Sequence, residues 1–342
     1  MRNRKSAAAI SYVIVTAATV LLSAVLILMV GGDFVSAIAG FFRGSFGSAY
    51  SVAEILVKTA PLTLCGLSVA VGGKSGFTNI GAEGQFYIGA VIVTYVGMYW
   101  TGLPGWMLLP LGMVLGFIGG GIWAMIPGVL RAKFGISEVI NTIMFNYIAT
   151  GIVGILLQTV LKAPGAYYPV SDYIPESMWL ATLIPGTRLH GGLIVALVCA
   201  VAVYILIWRS WLGFQIRAVG LNPRASQCSG INVSKSIILS SLISGGLAGL
   251  AGVCEIAGLQ HRLMDGISPG YGYLAIVAAL LGGNSPAGIV IASLGIAIIQ
   301  VGAQGMQRSA GVPTAIANII LGCVVLLILA RHMIVRRLNK ED

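Results

Sequence analysis

Four of the ten acidic residues, Glu54, Glu83, Glu138 and Glu255, lie in or beside long apolar stretches. A carboxylate in hydrocarbon is costly, so such groups face a partner, a cavity or water. Glu54 has Lys58 four residues later, a spacing that puts both on one helix face as a structural ion pair. Glu138 begins an apolar stretch beside Lys133 and suits the first turn of a helix, where a negative charge complements the dipole. Glu255 lies near the far end of another stretch and is expected to reach the headgroups. Glu83 sits in FTNIGAEGQF, among Asn79, Gln85 and glycines, and is the hardest to treat as incidental.

The segment 72–85 holds Gly72, Gly73, Gly76 and Gly81 and reads as a broken helix. Irregular backbone at membrane depth survives only when buried in protein or lining a wet cavity. Asn79, Glu83 and Gln85 either satisfy the loop's own amides or bond a passing solute. Downstream, SEVINTIMFNYIA places Glu138, Asn141, Thr142, Phe145 and Asn146 on one helical face. That stripe either glues helices together or lines a solute path. In SIILSSLISGGLAGLAGVCEIAG, Ser240, Ser241, Ser244 and Glu255 share a face, and Gly245, Gly249 and Gly252 permit close packing.

The elements that must carry these groups follow from composition. Of 342 residues, 57% are hydrophobic and only 9% charged, and the mean hydropathy is +0.95. A soluble domain carries about 25% charged residues, so a soluble enzyme, a disordered chain and a free-standing nucleic-acid binder are poor readings. The chain reads as an all-α polytopic membrane protein, one transmembrane domain over residues 1–342. Candidate spans are 8–30, 52–72, 80–100, 106–130, 138–160, 191–208, 236–258, 271–284, 287–305 and 313–331. About ten transmembrane helices with N- and C-termini cytoplasmic put fourteen of the twenty Lys and Arg inside and five outside, with Lys58 in a span. The Gly-rich break after the second span has a weak echo after the seventh, in MDGISPGYGYLAI, consistent with an inverted repeat around a transport site.

Other chemistry is poorly supported. SVAVGGKS misses the phosphate loop because Ser68 stands where GxxxxGK[ST] requires Gly. The Gly73-Lys74-Ser75-Gly76 run resembles an intramembrane serine protease motif, but His190, His261 and His332 all fall at loops or span ends. Cys65, Cys199, Cys228, Cys254 and Cys323 form no CxxC pair. No catalytic residue, metal site or cofactor is assigned. The loop 209–235, expected to be cytoplasmic, carries Asn222-Pro223, a turn and helix-start signal. A short amphipathic helix there suits docking to a soluble subunit, or else a basic loop held on anionic lipid.

NIGAEGQFYIGA, SEVINTIMFNYIA, IRAVGLNPRASQCSGI and SPGYGYLAIVAALLGGNSPAG, in that order over roughly 50–330, resemble permease subunits of ABC importers. The similarity is to the simple-sugar and nucleoside group, related to the branched-chain amino acid permeases. It implies cytoplasmic ATP-binding subunits, a second permease subunit (homo- or heterodimer) and an extracytoplasmic solute-binding protein as partners, within a cell membrane and without nucleic acid. It also implies that Arg217, Gly220, Asn222, Pro223, Ala225 and Gly230 belong to the element that couples to the ATPase; Ala225-Ser226 departs from the commoner Ala-Ala pair. The expected function is ATP-driven import of a small polar solute by alternating access, past Asn79, Glu83, Gln85, Glu138, Asn141, Asn146 and Glu255. The NIGAEGQ wording leans to nucleosides; pentoses and branched-chain amino acids remain open. The rival of a different class is an ion-coupled secondary transporter using Glu83 or Glu138.

Overall fold

The computed structural model describes residues 21–100, 102–316, 318–320 and 322–323. Among the described residues the regular structure is helical, and β pairing is limited to two isolated bridges, Val170 with Met264 and Thr182 with His190. The helices are α1 (Leu21–Met29), α2 (Phe34–Phe46), α3 (Ala49–Lys74), α4 (Ala82–Tyr99), α5 (Gly105–Phe134), α6 (Glu138–Gln158), α7 (Gly192–Arg209), α8 (Trp211–Leu221), α9 (Pro223–Cys228), α10 (Val233–Glu255), α11 (Tyr271–Leu281) and α12 (Pro286–Ala310). A single π turn, Ile256–Gln260, extends α10.

Among the described residues six helices are long and apolar enough to cross a membrane: α3, α5, α6, α7, α10 with its π turn, and α12. The pair α1–α2, bent by 111°, makes a seventh if it is one broken span. At about 1.5 Å per residue, α5 covers about 45 Å, more than the roughly 30 Å of hydrocarbon it must cross. Its end follows from sequence: Arg131 and Lys133 lie in the last turn, and Gly135 takes the left-handed φ of 65° that closes the helix. Trp100, Trp106, Trp208 and Trp211 all stand at helix ends.

Several expectations need correction. Gly72 and Gly73 lie inside α3 and Glu83 and Gln85 inside α4, so the expected break of 72–85 is confined to residues 75–81. Gly72 packs against Phe77 and Ser244, and its carbonyl accepts the Ser75 hydroxyl at 2.8 Å, so α3 continues through the glycines although Gly73 itself is open. The span expected over 271–284 ends at Leu281, where Gly283 and Asn284 adopt positive φ. A helix absent from the sequence reading, α2, starts at Asp33, whose carboxylate accepts the Ser36 N–H at 2.8 Å as an N-cap. Residues 8–20 of the first expected span and most of 313–331 lie outside the described residues.

The described residues fall into two compact units, Leu56–Leu294 and the segments on either side of it. In the larger unit α3 is largely buried, while α6 and α7 keep most of their surface outward. α4 and α5 both lie on α10 through glycines. A Cβ on Gly89 would overlap the Gly249 carbonyl, and one on Gly245 would overlap the Gly120 carbonyl. Backbones approach this closely only where side chains are absent, the usual device between membrane helices. In the smaller unit Gly40 and Gly44 of α2 face Ser309 and Gly305 of α12 in the same way. Ile27, Ala37, Met306, Val312 and Ile316 form its apolar core.

Candidate functional site

The 75–81 break is organised by Asn79, which is fully buried. Its amide nitrogen donates to Gln85 Oε1 and Ser244 Oγ, both at 2.8 Å, and to Ser68 Oγ at 3.2 Å. Its oxygen accepts the Gly81 N–H at 2.9 Å and Gln85 Nε2 at 3.0 Å. Ser244 on α10 closes the cluster by donating to the Ser68 carbonyl at 2.6 Å. The break is therefore bonded to α3, α4 and α10 at once. Ser68, which entered the sequence reading only as the residue that spoils a phosphate loop, is a member. Ser75 bonds the Gly72 carbonyl and the Ser240 hydroxyl.

Glu83 lies one residue into α4 and is buried. Its Oε2 accepts the backbone N–H of Gly272, in the first turn of α11, at 2.7 Å. Ser268 also bonds its carboxylate, while the Ser268 oxygen accepts the Gly270 and Tyr271 N–H groups at 3.1 and 3.0 Å. A Cβ on Gly272 would overlap the Glu83 backbone nitrogen. The N-termini of α4 and α11 thus abut, and the Glu83 carboxylate lies between two positive helix ends. The two Gly-rich breaks that echo each other in sequence are in contact.

Asn146 on α6 joins the same junction. Its oxygen accepts the Gly84 N–H at 2.8 Å, and its nitrogen donates to the Ile80 carbonyl at 3.0 Å and the Tyr273 hydroxyl at 3.3 Å. Glu138 lies 3.2 Å from Arg131 Nε and accepts the Thr78 N–H at 3.5 Å. It stands in the first turn of α6, as expected, and its cation is Arg131. Asn141, on the same face, has a buried amide nitrogen with no partner. Glu255, expected to reach outward, is instead buried in the protein: it accepts from Gln260 Nε2 at 3.2 Å, and Lys58 and Arg188 supply opposing charge. Asn79, Glu83, Gln85 and Asn146 therefore form one connected junction; Glu138 touches its edge, Asn141 stands beside it, and Glu255 lies apart.

Residues 161–190 form a strap over the end of α10. Ser171, Ile174 and Leu180 each donate a backbone N–H, to the carbonyls of Leu263, His261 and Ala257, all at 2.8 Å. Trp179 stacks on His261 with ring centroids 3.9 Å apart. His190, at the strap's end, is buried; its Nδ1 accepts the Gly192 N–H at 3.2 Å and its Nε2 has no partner. Burial, and secondarily the nearby His261, push its pKa down to about 4.

The loop 209–235 folds as α8 and α9. Gly213, Ile216 and Val219 are buried, while Trp211, Phe214 and Leu221 are exposed. Asn222 caps α9, accepting the Ala225 N–H at 3.1 Å, and Pro223 takes the first helical position. Gly230 has φ of 79°, which turns the chain back toward α10. Grooves of about 370 and 400 Å³ flank α9; Asn222, Ala225 and Gly230 line the first and Pro223 the second. Among the described residues no group of three His, Cys, Asp or Glu side chains is placed to hold a metal ion.

Comparison with known proteins matches residues 51–329 to the family described as branched-chain amino acid transport system / permease component. The chain belongs to this family. It is 36% identical over 316 residues to the guanosine ABC transporter permease protein NupP of Bacillus subtilis, covering 91% of this chain and 90% of that one. It is 34% identical to the nucleoside ABC transporter permease protein NupB of Lactococcus lactis, covering 92% and 88%. The glucose ABC transporter permease protein TsgB13 of Haloferax volcanii is also 34% identical, covering 89% and 82%. No solved structure matches. The chain is an integral membrane permease of the ABC-transporter type, and its long apolar helices are those of such a subunit.

Proposed function

We propose that this permease is the membrane-spanning subunit of an ATP-driven importer that carries a nucleoside inward by alternating access. The observation that carries the proposal is the 36% identity, over nine-tenths of both chains, with a permease named for guanosine. The likeness to a glucose permease keeps simple sugars as the second substrate class. A junction rich in amides and hydroxyls, and poor in net charge, suits either neutral polar solute. In the proposed topology about ten spans place both termini and the loop 209–235 in the cytoplasm, in line with the bias of basic residues. The abutting ends of α4 and α11 support the inverted repeat.

The proposed partners are cytoplasmic ATP-binding subunits, a second permease subunit and an extracytoplasmic solute-binding protein. The α8–α9 loop, with Arg217, Gly220, Asn222, Pro223, Ala225 and Gly230, couples to the ATPase, and the exposed α9 between its two grooves supports that role. On the solute side Asn79, Glu83, Gln85, Glu138, Asn146 and Glu255 build the pathway wall, and Asn141 presents the unpartnered amide. The oxygens of Glu83 and Glu138 accept protein donors, which favours a wall over a coupling-ion site.

The test is uptake into proteoliposomes holding the permease, its ATP-binding subunits and its binding protein. Uptake of labelled guanosine is expected to require ATP, and to be competed by other nucleosides but not by pentoses or leucine. Uptake that continues without ATP and collapses with an ionophore overturns the proposal.

A further inference from the structure

Gly220, in the last turn of α8, is open on one side and blocked on the other. A Cβ there would overlap the carbonyl oxygen of Lys74 and stand 3.3 Å from the Gly76 nitrogen. Lys74 is the last residue of α3, and the 75–81 break begins immediately after it. The other end of α8 is fixed as closely: a Cβ on Gly213 would overlap the Leu206 carbonyl of α7. Between the two contacts, Ile216 is buried in a core with Leu67 and Val71 of α3, Ile207 of α7 and Leu247 of α10. The helix that bears the coupling loop is thus seated backbone to backbone on the two helices beneath it. At Gly220 it cannot press further toward α3 without displacing the Lys74 carbonyl.

We infer that Gly220 is a positioning residue for transport: it keys α8 onto the Lys74–Gly76 backbone, so that movement of the coupling loop is delivered to the helix break. From there the path is continuous. Ser75 bonds Ser240 on α10, and Asn79 bonds Gln85 on α4 and Ser244 on α10. The Lys74 ammonium lies over the Trp208 ring at 5.2 Å, but the keying is made by backbone and does not need that contact. The inference rests on the proposed ATP-driven import and adds the point at which force enters the membrane domain.

The test uses the full complex in proteoliposomes with three variants. Gly220→Ala is expected to assemble. Its uptake and its stimulation by loaded binding protein fall by about tenfold, the scale of an ordinary coupling between sites. Gly73→Ala, in α3 with open space at its Cβ position, and Lys74→Met, which keeps the backbone contact, are expected to match wild type. In parallel, hydrogen exchange on the wild-type complex is expected to show nucleotide changing protection at 75–81 together with α8. Full coupling in Gly220→Ala, uncoupling by Lys74→Met, or exchange that changes in α8 but not at 75–81 overturns the inference while leaving the importer intact. Wild-type uptake that ignores ATP overturns both. If Gly220→Ala fails to assemble, the exchange measurement decides.

Discussion

The Glu83 carboxylate and the Gly272 backbone N–H, 189 positions apart in sequence, meet at 2.7 Å where the N-termini of α4 and α11 abut. A charged acceptor suits this position because each helix start leaves unpaired N–H groups and a partial positive charge. The junction requires an acceptor of the right length more than it requires a negative charge. Glu83→Gln is therefore expected to keep uptake within a few-fold of wild type. Glu83→Ala, which strands the Gly272 N–H and the Ser268 hydroxyl, is expected to cost about 1–3 kcal/mol and most of the uptake. Thermal unfolding in detergent and uptake in proteoliposomes check the pair; a Gln variant as damaged as the Ala variant would favour an ionic role for Glu83.

Asn79 uses both ends of its amide, so neither an apolar nor an acidic replacement fits. Asn79→Leu leaves the Gly81 N–H and Gln85 without partners, and Asn79→Asp removes the donors to Gln85 and Ser244. Each is expected to destabilise the fold by about 2–4 kcal/mol, from two or more buried groups left unpaired. Asn146→Ala removes bonds to both halves of the junction. It is expected to be less than additive with Asn79→Leu in a double-mutant cycle. Additivity would mean that the two asparagines hold independent parts.

How much of this was visible beforehand depended on distance along the chain. NIGAEGQ marked one half of the junction because Gly, Asn and Gln in an apolar chain are conspicuous. MDGISPGYG marked the other half more faintly, and nothing local says that Glu83 reaches Gly272. Ser68 and Ser244, 176 positions apart, were legible only as a serine within an apolar run and as part of a polar helix face. Helix ends lie near the ends of the apolar stretches except where the helix outlasts them, as α5 does through Arg131 and Lys133. Asp33 with Ser36 three residues later is a capping signal that Gly31 and Gly32 obscured, and α2 was missed with it. The fates of Glu138 and Glu255 turned on partners near in sequence that ordinary α-helical spacing does not reveal: Arg131 across the turn between α5 and α6, and Gln260 five residues on in a π turn.

His190 is expected to make the strap 161–190 sensitive to acid. The native pKa of about 4 lies below the ordinary value of 6.5. The unfolded state therefore binds the proton more readily, and the contribution to stability is full at neutral pH and lost as pH falls from 6.5 toward 4. The loss is at most about 3 kcal/mol over that window. Limited proteolysis of the strap is expected to accelerate across this window in wild type and to be flat in His190→Gln, which retains an acceptor for the Gly192 N–H. Equal acid sensitivity in the variant would move the effect to His261 or elsewhere.

The exposed face of α9 separates docking from folding. Ala225 lines the groove of about 370 Å³ and its side chain is exposed, so Ala225→Arg fills the groove without entering the core. Surface substitutions of this kind change stability by about 0.5 kcal/mol or less, so the permease should remain folded with unchanged thermal unfolding. If the loop receives the ATP-binding subunit there, co-purification with that subunit should fall steeply. Nucleoside uptake should fall with it, while capture of the solute-binding protein on the opposite face should not. Retained co-purification would place the contact on the other flank of α9, where Arg224 and Gln227 line the second groove. The matching variant there is Gln227→Ala, whose effect would then have to be the larger of the two.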